Sequence, residues 1–322
     1  MKYILFISFL TIQLLFYGCN DSFDPNGESK DIYALTCIIK NDSENQTATL
    51  SHIYRVDGFD PYTNTVDPSI IGADLRVWVG DSVYVFRDTS IVRTDTSRYK
   101  TPFYYYYNNN FGVVPNKTIE VEVLLQNGRR LRASSKSPKE IYFDKIGYTK
   151  IPSSDTERVS FKWNEQADPI FFTPQLTIRY LQNINGTDVE KYKKVPIQYI
   201  ERDNEQIAVF PVPSIRNSVI YQMDAINRAM QEISSDDPDK SHFTIFQKQK
   251  FSVVAFDLNL TRYISSTDQS FDDLTVTVNE SDYSNVSSGL GIFGCYIKKV
   301  YDRVELYRDY VESFGYNFFV GE

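Results

Sequence analysis

Hydrophobic and polar residues alternate with a period of two over most of the chain from about residue 31 onward. This period turns successive side chains to opposite faces of an extended backbone, so it predicts half-buried β-strands. The first predicted strand covers residues 32–39, and the second covers 47–54. No helical period interrupts the pattern before residue 133.

Two turn signals divide this region into hairpins. Gly80-Asp81 separates the alternating run 75–79 from 83–86, and Asn127-Gly128 separates 119–123 from 129–133. Gly and Asn-Gly suit hairpin turns because they accept a positive φ. At least six strands within about 110 residues predict an immunoglobulin-like β-sandwich, which we assign to residues 31–145.

Strands resume beyond a segment rich in Ser, Lys and Pro, and we predict a second β-rich domain over residues 146–322. Strands 159–164, 175–182 and 189–197 are candidates for one small sheet. Helical spacing of apolar residues predicts helices near 214–235 and 300–314. For Val219–Met223 a strand is the competing interpretation. The predicted fold class is therefore mainly β, with one or two helices.

The N-terminus has the pattern of a targeting signal. Residues 3–17 are almost wholly apolar and end at Gly18-Cys19, a stretch with the length of a signal-peptide core and too short to span a membrane. A small residue before Cys after such a stretch is similar to the lipobox of bacterial lipoproteins. The pattern predicts a signal peptide over 1–18, lipid on Cys19 and a polar tether over 19–30. An ordinary secretory signal is the alternative.

Composition excludes several classes of function. The chain has 34 basic and 42 acidic side chains, so a net charge of −8 argues against nucleic acid as a partner. Two His cannot supply a His-rich metal centre, and both His52 and His242 are expected at the surface or at a strand edge. Metalloprotease, nucleophile-elbow and Cys-x-x-Cys motifs do not occur. We therefore predict a protein without catalytic activity, cofactor or metal.

The most unusual local composition is the run Tyr104, Tyr105, Tyr106 and Tyr107, which leads into three Asn residues. Exposed Tyr beside Asn suits stacking against sugars or contact with a protein partner. The alternative is a core strand followed by an Asn-rich turn.

Carboxylates are concentrated in two loop regions, where calcium is a further hypothesis. They are Asp57, Asp60, Asp67 and Asp74 in one region and Asp236, Asp237 and Asp239 in the other. The remaining cysteines, Cys37 and Cys295, lie in apolar strand-like runs, so we expect buried free thiols, although export permits a disulfide.

Two segments resemble motifs of the Bacteroidota lipoprotein family called domain of unknown function 4249. They are Pro-Ser-Ile-Ile-Gly-Ala-Asp-Leu-Arg-Val at 68–77 and Asn-Val-Ser-Ser-Gly-Leu-Gly-Ile-Phe-Gly at 285–294. The order of lipobox, tether, immunoglobulin-like region and second β-rich region is also similar. The resemblance implies an outer-membrane lipoprotein that accompanies TonB-dependent receptors. The glycines at 289, 291 and 294 by themselves predict a structural bend or bulge, with a ligand-cradling loop as the alternative.

Three functional hypotheses follow. The first is a lipid-anchored, non-enzymatic protein of the cell envelope, attached to the outer membrane through Cys19, that serves as a binding or assembly accessory to an uptake system. The second is a glycan-binding surface lipoprotein that uses Tyr104–Tyr107 or another exposed aromatic set as its binding platform. The third is a hydrolase built on a pair of carboxylates, which is defined by separation in space rather than by sequence.

Overall fold

The computed structural model describes residues 31–53, 64–144, 149–152, 157–267 and 283–321. Cys19, its flanking signal and tether, and the predicted domain boundary at 145/146 lie outside these residues. Within them the protein is mainly β, as the alternating pattern predicts, with short helices in the C-terminal half.

The N-terminal half contributes seven strands among the described residues. Most of them alternate between core and surface, whereas β4 buries only Phe86. They are β1 (Ile32–Lys40), β2 (Gln46–Ile53), β3 (Asp74–Val79), β4 (Ser82–Ile91), β5 (Phe103–Asn108), β6 (Thr118–Leu124) and β7 (Arg130–Lys136).

The C-terminal half adds further strands and three α-helices within the described ranges. The strands are β8 (Thr149–Ile151), β9 (Arg158–Lys162), β10 (Phe172–Ile184), β11 (Thr187–Lys194), β12 (Gln198–Arg202), β13 (Glu205–Val209), β14 (Ser218–Gln222), β15 (Phe243–Phe246), β16 (Lys248–Phe256), β17 (Leu290–Leu306) and β18 (Asn317–Phe319). The helices are α1 (Met223–Glu232), α2 (Leu258–Thr267) and α3 (Arg308–Ser313), and a 3₁₀ turn covers Lys240–His242.

The predicted sandwich is present in the N-terminal half. Its first sheet has the order β17-β1-β2-β5-β4, and its second has the order β4-β3-β6-β7. Strand β4 belongs to both, because its first half pairs with β3 and its second half pairs with β5. The two inner faces enclose one core that includes Leu35, Leu50, Val77 and Val121. Both predicted hairpins are confirmed, with a positive φ at Gly80 and at Gly128.

Strand β17 connects two hydrophobic cores. It runs parallel to β1, where Phe293 and Cys295 face the sandwich core. Further along it pairs with β16, and Val304 and Leu306 enter the core of the C-terminal half. The sandwich is thus completed by a strand that lies far away in sequence, which the local pattern does not reveal.

The helix predicted near 300–314 is wrong over its first half, because β17 continues to Leu306 and α3 covers only Arg308–Ser313. A spacing of four residues repeats on one face of a strand as well as of a helix, so Val300 and Val304 fit both periods. The register of β17 against β16 shifts near Gln249, and Val300 is exposed while Val304 is buried. Pairing with β16 therefore decides the conformation.

The helix predicted over 214–235 is confirmed only at Met223–Glu232. The apolar face of this helix packs into the core as predicted, since Ile226 and Met230 are fully buried. The preceding Ser218–Gln222 is strand β14, as the competing interpretation proposed. The predicted three-strand sheet is partly wrong, because β10 pairs with β11 whereas β9 pairs with β14.

The glycines of the 289–294 segment are required by close approach of neighbouring elements. A Cβ on Gly291, whose φ is +113°, would lie 2.0 Å from the carbonyl oxygen of Leu35 on β1. A Cβ on Gly294 would lie 2.6 Å from Cγ of Leu260 on α2. Only a residue without a side chain fits these positions, which supports the structural interpretation of this motif.

In the part of the chain described here, no helix is both long enough and apolar enough to cross a membrane.

Candidate binding faces of the sandwich

The Tyr run forms strand β5 and divides between two faces. Tyr106 is 1% exposed, and its hydroxyl accepts a hydrogen bond from the Ala73 N–H (3.1 Å) and donates one to the Ile70 carbonyl (3.0 Å). Burial raises its pKa. Tyr106 is therefore a core residue, and its prediction as part of a ligand surface is wrong. Tyr104 lies on the same side of β5 and is half-buried.

Tyr105 and Tyr107 lie on the opposite side of β5, which faces away from the core. Phe103 shares this side, and its ring stacks on Tyr105 with centroids 6.2 Å apart and planes at 20°. All three rings are half-buried. The inward position of Tyr106 follows from the pairing of β5 with β2, which places it beside Ala48 of the core. Two of the four predicted Tyr residues thus face outward on the outer side of the first sheet.

The outer side of the first sheet contains no carboxylate on strands β1, β2, β4 and β5. We call this surface the neutral face, and Lys40 and Arg87 are its two charged residues. Its members are exposed or half-buried and pair across the strands, and on β1 and β2 they alternate with core residues. They are Ile32, Ala34, Thr36, Ile38 and Lys40 on β1, Thr47, Thr49, Ser51 and Ile53 on β2, Arg87, Thr89 and Ile91 on β4, and Phe103, Tyr105 and Tyr107 on β5.

The outer side of the second sheet has the opposite character. Arg76 pairs with Asp74 at 2.7 Å, and Glu122 pairs with Arg130 at 2.7 Å and with Arg132 at 2.6 Å. These side chains occupy alternate, outward positions of β3, β6 and β7. One sandwich therefore presents one charged face and one face without acidic groups.

A hollow of about 550 Å³ lies on the charged face, and Trp78 is its aromatic residue. Trp78 is half-buried and is opposite Val83 on one neighbouring strand and Glu120 on the other. No sequence motif marks Trp78 as a functional residue. Its alternation with the core residue Val77 was the available signal, because it places the indole on the outer side of β3.

A second hollow, of about 500 Å³, lies where β4 passes from one sheet to the other. Tyr107, Arg87, Asn109 and Asn110 contribute to its lining. Asn108 is buried, and its amide donates to the Val85 carbonyl at 2.9 Å. The Asn-rich segment is therefore both a structural turn and a polar wall beside the neutral face.

Asp257 is a buried carboxylate at the junction of the two cores. Its Oδ2 accepts hydrogen bonds from the Ser135 hydroxyl (2.5 Å) and from the Cys295 N–H (2.6 Å), while Oδ1 accepts from the Leu260 N–H (2.7 Å). Desolvation raises its pKa, although these donors oppose the shift. Because both oxygens are bonded to the surrounding protein, the geometry assigns Asp257 a structural role.

The acidic loops bind other protein groups in the described residues. Asp67 contacts Arg93 at 2.7 Å, and Asp237 lies 2.7 Å from Nδ1 of His242. That contact, together with Asp239, raises the pKa of His242, although desolvation opposes the shift. Asp57 and Asp60 lie outside the described residues. Within those described, no group of three or more His, Cys, Asp or Glu side chains is placed to hold a metal ion.

The predictions for the two core cysteines and for the two histidines are confirmed. Cys37 and Cys295 are buried free thiols. Burial raises the pKa of Cys37 to about 12, and burial with the nearby Asp257 raises that of Cys295. His52 and His242 lie at the surface, with 39% and 45% of their side chains exposed. Neither thiol has the lowered pKa that a nucleophilic cysteine needs.

Comparison of the sequence with known protein families and with characterised proteins gives no match. The resemblance carried by residues 68–77 and 285–294 therefore stays a prediction.

Proposed function

We propose that this protein is a lipid-anchored, non-enzymatic component of the bacterial cell envelope, which assembles through its neutral face with a receptor of an outer-membrane uptake system. The observation that supports this proposal best is the composition of the neutral face. The anchor on Cys19 and the receptor as partner come from the sequence features at residues 1–19, 68–77 and 285–294.

The neutral face has the character of a protein–protein interface. Interface cores are depleted in Asp, Glu and Lys and enriched in aromatic residues. The chain as a whole has 42 acidic residues among 322, yet none occupies the outward positions of β1, β2, β4 and β5. Phe103, Tyr105 and Tyr107 supply aromatic contact area along one side. The charged outer side of the second sheet has no such character.

The predicted tether joins the sandwich at one end of the neutral face. The 12 residues 19–30 are followed by Asp31 and then by β1, whose first residue, Ile32, is a member of the neutral face. A fully extended chain of that length spans at most about 40 Å. A lipid on Cys19 would therefore keep the neutral face close to the membrane surface, where an outer-membrane receptor is accessible.

Co-purification of the lipidated protein from its native membrane tests the proposal. Thr36 and Thr49 form a cross-strand pair on the neutral face, so Thr36→Glu places a charge where the partner is expected to dock. We expect the wild-type protein to retain a receptor and Thr36→Glu to lose it. Thr187→Glu, at the exposed start of β11, is the matched control and should retain the partner. Recovery of the wild-type protein alone, or unchanged capture by Thr36→Glu, would refute the proposal.

The anchor is tested separately with Cys19→Ala. This variant cannot accept lipid on sulfur, so it should move from the membrane fraction to the soluble fraction. Retention of Cys19→Ala in the membrane fraction would show that another part of the chain binds the membrane.

A further inference from the structure

We infer that the hollow around Trp78 is a saccharide-binding site. It lies on the outer side of β3, β6 and β7, and is separate from the neutral face on the other sheet. One row of residues crosses it from strand to strand, namely Val83, Trp78, Glu120 and Ser134. This row places the only outward-facing indole of the described residues next to a carboxylate, with an apolar neighbour on its other side.

The polar groups around the indole are held in fixed positions. The Glu122 carboxylate accepts hydrogen bonds from Arg130 and Arg132. Asn285 forms the far wall, where its amide donates to the Phe293 carbonyl (2.7 Å) and accepts from the Phe293 N–H (2.9 Å). Such bonds hold donors and acceptors in place before a ligand arrives, which lowers the entropic cost of binding.

The wall formed by residues 285–287 gives the hollow its depth. Ser287 pairs with Arg132 across an isolated bridge, and its N–H and hydroxyl both donate to the Arg132 carbonyl, at 2.8 and 2.9 Å. The 285–287 segment therefore rises beside β7 and converts a flat sheet surface into a concave one. The resulting volume, about 550 Å³, is in the range of small-ligand sites.

The chemistry of the lining favours a neutral, polyhydroxylated ligand. An indole offers a flat apolar surface against which the C–H groups of a pyranose ring can pack. Carboxylates accept hydrogen bonds from hydroxyl groups, and guanidinium groups donate to them. Because Glu122 is already paired with two Arg residues, charges of both signs surround the indole, and the site does not select strongly for a charged ligand.

Glu120 is the residue most available to the ligand. It is exposed, and no side-chain hydrogen bond or ion pair occupies its carboxylate among the described residues. Glu120 lies directly opposite Trp78 on the neighbouring strand, beside the stacking surface. A hydroxyl of a sugar ring that packs on the indole would donate to this carboxylate.

Intrinsic fluorescence offers a direct test because the chain contains only two Trp residues. Trp163 is fully buried in the other core, so a ligand on the sandwich alters the emission of Trp78 alone. We would screen the lipidated protein, in a detergent without a sugar headgroup, on a glycan array and then titrate the glycans that bind. A saturable change in emission is expected, with at least ~10-fold weaker binding for Trp78→Ala and several-fold weaker binding for Glu120→Gln.

Control variants separate a binding defect from misfolding. Trp78→Phe keeps an aromatic ring and should keep part of the affinity, while Tyr192→Ala removes an exposed aromatic on β11 and should change nothing. Circular dichroism and thermal unfolding check that each variant is folded. Binding on the array that Trp78→Ala leaves unchanged, or no bound glycan at all, would overturn the inference. An emission change with lysine-rich peptides only would assign the site to cations instead.

The same glycans should bind Thr36→Glu as tightly as the wild-type protein, since that substitution lies on the other sheet. Glycan binding and receptor binding are therefore tested with separate variants, so one proposal can be refuted while the other stands.

Discussion

Asp257 and Cys295 are joined by two hydrogen bonds. The Asp257 N–H donates to the Cys295 carbonyl at 2.9 Å, and the Cys295 N–H donates to Oδ2 of Asp257 at 2.6 Å. Cys295 faces the core of the sandwich, while Asp257 is the residue between β16 and α2. This pair therefore fastens α2 to the strand shared by the two cores.

Asp257→Asn should destabilise the protein by roughly 1–3 kcal/mol at neutral pH, because one buried donor loses its acceptor. The two carboxylate oxygens accept from different N–H groups, those of Leu260 and Cys295. An amide therefore always turns its NH₂ toward one of them. Urea unfolding measures the change, and a free energy of unfolding equal to that of the wild-type protein would contradict it.

The pH dependence of this difference has a defined sign. Desolvation raises the pKa of Asp257 in the folded state above its ordinary value of 3.8. The stability that this group contributes is thus complete below that value and decreases as the pH rises through the folded-state pKa. The Asn variant has no carboxyl group to titrate at this position. The difference in the free energy of unfolding between wild type and variant should therefore narrow as the pH is raised. A gap that widens would show that the pKa is lowered instead.

Gly291→Ala should destabilise the protein by more than about 4 kcal/mol, or prevent folding, because of a backbone clash. The new Cβ would lie 2.0 Å from the Leu35 carbonyl oxygen, and φ at this position is +113°. Gly80→Ala is the matched control, since its φ is +60° and nothing lies within 4 Å of its Cβ. Only the conformational cost of about 1–2 kcal/mol applies there. Equal losses of unfolding free energy for the two variants in denaturant titrations would show that the close approach of Leu35 to Gly291 is not the cause.

Tyr106→Phe should cost about 1–2 kcal/mol, because it leaves the Ala73 N–H and the Ile70 carbonyl without their partner. Tyr105→Phe removes a hydroxyl from the neighbouring outward position, where no hydrogen bond engages it in the described chain, and should be neutral. Thermal unfolding of the two variants compares them directly. A larger loss of stability for Tyr105→Phe than for Tyr106→Phe would show that Tyr105, and not Tyr106, faces the core.

The two core thiols should resist chemical modification in the folded protein. The reactive species is the thiolate, and burial raises the pKa of Cys37 to about 12 and also that of Cys295. In the Cys19→Ala protein, an aromatic disulfide reagent at pH 8 should therefore label neither thiol before unfolding and both after it. Rapid labelling of the native protein would mean that this part of the sandwich opens readily.

The strands of the sandwich could be predicted because each has one buried face. Alternation at Leu35, Cys37 and Ile39 is a local property of the chain, and Gly80 and Gly128 mark turns for a reason that depends only on φ. The place of β17 could not be predicted in this way. Its pairing of Phe293 with Cys37 is parallel and joins distant parts of the chain, so nothing in either segment specifies it.

The candidate faces were predictable only in part for the same reason. Alternation indicates that Tyr105 and Tyr106 lie on opposite sides, but the side that meets the core depends on the register with Ala48 on β2. Trp78 was recognisable as an outward residue. The hollow beside it depends on the contact between Ser287 and Arg132, which the sequence does not encode locally.

Asp67→Asn should destabilise the protein at neutral pH by roughly 2 kcal/mol, the free energy that corresponds to its lowered pKa. Burial alone would raise this pKa, but hydrogen bonds from Ser69, Thr101 and Arg93 lower it to about 2. Folding therefore gains stability from this carboxylate above its ordinary value of 3.8, and loses that stability as the pH falls toward 2.

Unfolding measured from pH 7 down to pH 2 should accordingly show the wild-type and Asp67→Asn curves converging in acid. Asp95→Asn is the control, because the exposed Asp95 carboxylate accepts only from Ser97 and should contribute much less. A difference for Asp67→Asn that stays constant down to pH 2 would mean that the loss comes from packing or hydrogen-bond geometry rather than from charge. The ion pair with Arg93, at 2.7 Å, would then contribute little to holding residues 67–69 against β2.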